Sequence, residues 1–180
     1  RAIILGMDET GNNRIVVYIL SGRSASSQAR TAERYDEHGF VNIEPTDRKV
    51  LESGSPSLLL YPAMFSFNSV PNVGQPRPDL GGNVVGVSNG AQTNLLYEAM
   101  KRRFNFTSPP GYVIDEAMKE PRLVLCPKFG EIDITSFEPD APNYTPRISG
   151  LVLKSRAALH IARRGESGLR ETEEFKFDYD

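Results

Sequence analysis

A helical period carried by Leu95, Leu96, Ala99, Met100 and Phe104 is set between short strand-like runs, and this arrangement limits the folds open to the chain. Apolar residues three and four apart line one helix face. The run before them, residues 83–88, ends at Asn89-Gly90 as a strand reaching a turn does, and Asn89 or Thr93 can cap the helix. Strands at both ends enclosing one or two helices predict an α+β domain with largely antiparallel sheets and helices packed outside them.

The remaining runs fit that outline. Residues 2–7 and 14–20 flank the turn-forming segment 8–13 and predict a hairpin. Both of its strands are nearly continuous in apolar character, which predicts burial on two faces. Residues 32–35 and 40–43 predict a second hairpin, and residues 57–61 another strand. Residues 66–82, rich in Pro, Asn, Gly and Ser, read as a long surface loop. After Pro109-Pro110-Gly111 a short helix is predicted over 112–119, then an apolar run at 123–126. Strands are predicted over 148–153, 157–162 and 171–177, with a turn at 163–168.

A length of 180 residues suits one domain, here 1–180, with a single sizeable core. Fifteen glycines and thirteen prolines imply many turns and short strands. A net charge of −2 argues against broad nucleic-acid binding, so any anion site must be local. A lone cysteine, Cys126, excludes an internal disulfide and points to the cytoplasm. No apolar run approaches the roughly 20 residues that span a bilayer, so no membrane partner is expected. The chain opens at Arg1, without methionine and already strand-like, as if residues had been trimmed.

His38 and His160 lack metal-ligand spacing, and no zinc, P-loop or dinucleotide motif is present, so both histidines read as surface or packing residues. Three polar clusters at strand ends are better candidates. In Ser21-Gly22-Arg23-Ser24 and the following Ser26, Ser27 and Arg30, guanidinium forks and hydroxyls suit phosphate or carboxylate oxygens, against the plainer reading of a solvated loop. In 86–93, Asn89, Gly90 and Thr93 either face a ligand above the sheet or simply cap a helix. In 143–147, Tyr144, Thr145 and Arg147 follow Glu138 and Asp140, with a loop salt bridge as the alternative.

In their order and spacing these clusters resemble the archaeal-type inosine monophosphate (IMP) cyclohydrolases. Gly11-Asn12, Ser21-Gly22-Arg23-Ser24, Arg30, Tyr61, Val87-Ser88-Asn89-Gly90 with Thr93-Asn94, and Asn143-Tyr144-Thr145-Pro146-Arg147-Ile148 carry the resemblance. It implies a four-layer αββα sandwich of antiparallel sheets, N-terminal nucleophile hydrolase-like. It also implies dehydrative ring closure of 5-formamidoimidazole-4-carboxamide ribotide to IMP, without metal, folate or other cofactor, in a homo-oligomer. By resemblance Glu138, Tyr61 and Arg23 are expected to be catalytic, and Arg30, Ser24, Asn89, Gly90, Thr93, Thr145 and Arg147 to bind substrate. Two alternatives stand beside it: a non-catalytic purine-nucleotide-binding module, and an amidohydrolase of the same fold, which needs a nucleophile at its N-terminus.

Overall fold

The computed structural model describes residues 1–11, 13–35, 39–67, 84–102, 108–153 and 155–178. The elements follow in the order β1 (Ala2–Met7), β2 (Arg14–Ile19), α1 (Ala25–Gln28), β3 (Arg30–Tyr35), β4 (Phe40–Pro45), α2 (Arg48–Glu52), α3 (Pro56–Leu59), β5 (Pro62–Phe67), β6 (Val84–Ser88), α4 (Thr93–Arg102), α5 (Pro110–Met118), β7 (Leu123–Cys126), β8 (Gly130–Asp133), β9 (Arg147–Leu153), β10 (Arg156–Arg164) and β11 (Arg170–Asp178). Seven strands form one antiparallel sheet in the order β11-β10-β9-β6-β5-β4-β3, while β1–β2 and β7–β8 are separate hairpins. No helix among the described residues is long and apolar enough to cross a membrane.

The helical period, of which Phe104 lies outside the described residues, does what its spacing requires. Leu96 and Met100 of α4, with Val113, Ile114 and Met118 of α5, pack against Phe65, Val84, Leu151, Leu153 and Ala158 of the sheet. Each fully buried Val, Leu, Ile, Phe or Met among them contributes about 1.5–3 kcal/mol. Phe65 lies opposite Gly86 across β5–β6, and a Cβ at Gly86 would come within 2.2 Å of the ring. The absent side chain lets the ring lie on the sheet, where Tyr97 of α4 meets it edge-on at 5.4 Å between centroids.

The β1–β2 hairpin covers the opposite face of the sheet near β9 and β6, with Leu5 brought against Gly150. Helix layer, large sheet and hairpin are thus the layers seen, and the α+β, antiparallel character is as expected. Burial on both faces of the hairpin is not seen. β2 alternates, and Ile15, Val17 and Ile19, with Ile4 of β1, point outward, 39–53% exposed. With one face on the large sheet, the period of two leaves the other side bare.

A second correction concerns residues 57–61. They are not a strand: α3 runs through Leu59, and the strand begins only at Pro62. Pro56 at the first helical turn presets the backbone for a helical start, and an apolar run as short as residues 58–61 has no period to distinguish a helical turn from a strand. Of the predicted loop 66–82, residues 66 and 67 close β5 and the rest lies outside the described residues, as does His38. His160 is buried on the α5 side of β10, a packing residue as expected.

Candidate active site

Beyond β2 the chain turns through Ser21, Gly22 and Arg23 into α1, whose start is closed reciprocally. Ser24 Oγ accepts from the Ser27 amide at 3.2 Å, and Ser27 Oγ accepts from the Ser24 amide at 2.9 Å. A Cβ at Gly22 would collide with Ser27, 2.3 Å from its Oγ, so glycine allows this tight path. Arg30 braces the turn from behind. Its guanidinium donates to the carbonyls of Ser27 at 2.9 Å, Leu59 at 3.1 Å and Ser21 at 3.5 Å.

A facing wall comes from residues 138–145. Asp140 accepts from both the amide and the hydroxyl of Thr145, each at 2.6 Å, and the Glu138 amide donates to the Thr145 carbonyl at 2.9 Å. Tyr144, at φ +42°, adopts a conformation rare for a side chain of its size. Its ring is held edge-on by Phe137 and covered by the Arg164 guanidinium, 4.5 Å from the centroid. Arg23 Nη1 donates to Asn143 Oδ1 at 2.8 Å and so joins the two walls.

The deepest carboxylate is Glu138. Its Oε1 accepts from Arg1 Nη1 at 2.6 Å, with Arg147 Nη1 at 3.8 Å. Arg1 Nη1 also donates to the Asn89 carbonyl at 2.8 Å, and the guanidinium lies over the Tyr61 ring at 5.8 Å. The Tyr61 hydroxyl pairs with that of Tyr18 at 2.6 Å. Behind them Asn89 is consumed by structure: its amide nitrogen donates to the Pro146 carbonyl, and its side-chain oxygen accepts from the Ile148 amide. Gly90 leaves room for Arg147, whose Nη1 would lie 2.3 Å from a Cβ there, and the Thr93 hydroxyl donates to the Gly90 carbonyl.

Electrostatics follow from this packing. Burial alone would lower the Arg1 guanidinium, but Glu138, Tyr61 and Tyr18 outweigh it and hold Arg1 above its ordinary value. Burial lowers Arg147, with Glu138 opposing. The Tyr18 phenol is pushed up by burial and then by Tyr61. Arg147 Nε and Nη2 are buried without a hydrogen-bond partner. Two guanidiniums on one carboxylate leave a positive surplus where water screens little, and such a place attracts an anion.

Above this group opens a cleft of about 480 Å³, within the range that takes small ligands. Arg23, Ser24, Glu138 and Thr145, all expected site residues, line it together. Arg147, Asn89 and Tyr61 stand behind the lining, in contact with Glu138 or Arg1. Gly90 and Thr93 lie deeper at the foot of α4, and Arg30 is turned away into carbonyls. Arg1, Tyr18, Ser55, Lys128 and Phe129 were not foreseen. Tyr18 sits in a nearly continuous apolar run that hides its inward face, and the other four carry no local signal. Among the described residues no three His, Cys, Asp or Glu side chains group as metal ligands.

The molecule is an antiparallel α+β protein with a polar cleft that carries Arg1, Arg23 and Lys128 against Glu138 and Asp140. Residues 1–117 match the family model described as IMP cyclohydrolase-like protein, and the chain belongs to that family. No curated protein matches the chain.

Proposed function

We propose that this chain is an IMP cyclohydrolase, closing the ring of 5-formamidoimidazole-4-carboxamide ribotide with loss of water. The observation that carries this is Glu138, a carboxylate at the base of the cleft beside Arg1 and Arg147. In ring closure the carboxamide nitrogen attacks the formyl carbon, a C–N bond forms, and negative charge develops on the formyl oxygen. That oxygen then leaves as water, taking up two protons, one from the attacking carboxamide nitrogen and one from the formamido nitrogen as its C=N bond forms.

Each step has a residue suited to it. Glu138 lines the cleft and can orient the carboxamide and take its proton. Arg1, held charged beside it, can stabilise the developing oxyanion. Tyr61 acts through Arg1, its ring beneath the guanidinium and its hydroxyl fixed by Tyr18. Arg23 and Ser24 belong to the binding of the nucleotide's polar end, with Thr145 facing them. Both reacting groups sit on one molecule, so positioning replaces a covalent nucleophile.

The N-terminal nucleophile hydrolase-like sandwich is part of this proposal, supported by helices and hairpin on opposite faces of an antiparallel sheet. So are a single 1–180 domain, a cytoplasmic location and a homo-oligomer. A second copy covering Ile4, Ile15, Val17 and Ile19 would remove that apolar strip from water.

The test is to incubate the purified chain with the formylated ribotide and follow IMP by absorbance, with the unformylated ribotide as a binding control. IMP formation is expected. Binding of both ribotides without IMP would leave the non-catalytic nucleotide-binding module in its place.

A further inference from the structure

Two cations on the cleft have no carboxylate partner among the described residues. Arg23 bonds only to the neutral Asn143 side chain, and Lys128 lies over the Phe129 ring, 5.2 Å from its centroid. The two carboxylates of the lining are already engaged, Glu138 by Arg1 and Asp140 by Thr145. Arg23 and Lys128 therefore place cations without an ion-pair partner on this arc of the cleft, in addition to the surplus that Arg1 and Arg147 leave on Glu138.

Ser55 adds an independent sign. It lines the same cleft at 9% exposure, and its Oγ is buried without a hydrogen-bond partner. A hydroxyl desolvated and left unbonded is costly, and no partner among the described residues repays it. Phe129 fixes the position of its neighbour Lys128, because its ring packs with Leu58, Cys126, Ile132 and Ile134 and ties the β7–β8 turn to α3. The loop bearing Lys128 is thereby held across from Ser55.

We propose that Ser55 and Lys128 form, with Arg23, the subsite for the phosphate monoester of the nucleotide. The proposal rests on the ribotide reading of the cleft and adds the place where the phosphate is held. Ser55 donates its hydroxyl to a phosphate oxygen, and Lys128 supplies a mobile ammonium that closes on the dianion from the solvent side. The reacting base then points toward Glu138 and Arg1.

The experiment is calorimetric titration of the full chain, wild type, Lys128→Ala and Ser55→Ala, with IMP, inosine and inorganic phosphate. Wild type is expected to bind IMP at least about tenfold more tightly than inosine, and each substitution to weaken IMP about tenfold while leaving inosine unchanged. Ser55→Ala is also expected to melt no lower than wild type, since it removes an unbonded hydroxyl. Equal loss for IMP and inosine, or no loss for IMP, would overturn the subsite, as would wild type binding IMP no better than inosine. If wild type makes no IMP from the formylated ribotide yet binds IMP and phosphate in a Lys128-dependent way, the subsite stands and ring closure falls.

Discussion

The two walls of the cleft are built by different means. One comes from the family-matched segment 1–117 and presents guanidiniums and hydroxyls on short, tightly capped turns: Arg1, Arg23, Ser24, Ser55. The other lies wholly beyond that segment and presents Glu138, Asp140, Asn143 and Thr145 on a loop with little regular structure, held by its own hydrogen bonds. The carboxylate proposed for the chemistry thus comes from the unmatched wall and meets the guanidinium of Arg1 from the matched one.

The largest contrast should appear at the join between the walls. Glu138→Ala leaves Arg1 and Arg147 facing each other, and removing one partner of a buried pair is expected to cost about 3–5 kcal/mol, read by urea unfolding. Glu138→Gln keeps the shape and should lower kcat by about 10²–10⁴-fold on the formylated ribotide with little change in KM. Full kcat in that variant would remove Glu138 from the chemistry.

On the matched wall, Arg23→Ala should do the reverse, raising KM about tenfold with kcat nearly unchanged, in steady-state rates. A fall in kcat without a change in KM would move Arg23 from binding to the reacting atoms. Asp140→Ala frees the Thr145 amide and hydroxyl and should cost about 1–3 kcal/mol of stability, with kcat falling because the loop bearing Glu138 loosens.

The smallest effect is a control far from both walls. Burial and then Arg170 push His160 below its ordinary value near 6.5, against Asp115 and Glu174. Below pH 6.5 the unfolded chain takes up a proton that the folded one refuses, so stability present above that pH is lost as pH falls toward the folded value. The slope is at most about 1.4 kcal/mol per pH unit, and His160→Gln should flatten it in urea titrations between about pH 7.5 and 5.5 without changing the affinity for IMP.

Periodicity made most of the fold legible. The helical spacing of Leu95 to Met100 states a face and a partner and appears where expected, whereas the nearly continuous apolar run of residues 14–20 concealed the one-sided burial of β2. Residues 57–61 misled because a short apolar run has no phase, while the helical start is set by Pro56, just outside it. In the site, Arg23, Ser24, Glu138 and Thr145 were legible as polar residues at strand ends. Arg1 and Lys128 were not, because a cation at a strand head or turn looks the same whether it faces a ligand or water. Ser55 could be found only from the hydroxyl it leaves unbonded.

The strand order carries a last consequence, one of folding and aggregation. The middle strand of the large sheet, β6, pairs on one side with β5 and on the other with β9, across some sixty residues of chain. A fragment cut at residue 117 would keep every matched residue yet lose β9, β10 and β11. Its β6 would become a bare edge of Val84, Val85 and Val87, a template for pairing with another chain. The family-matched segment is thus no autonomous folding unit, and synthesis must reach the final third before the sheet can close around its own middle strand.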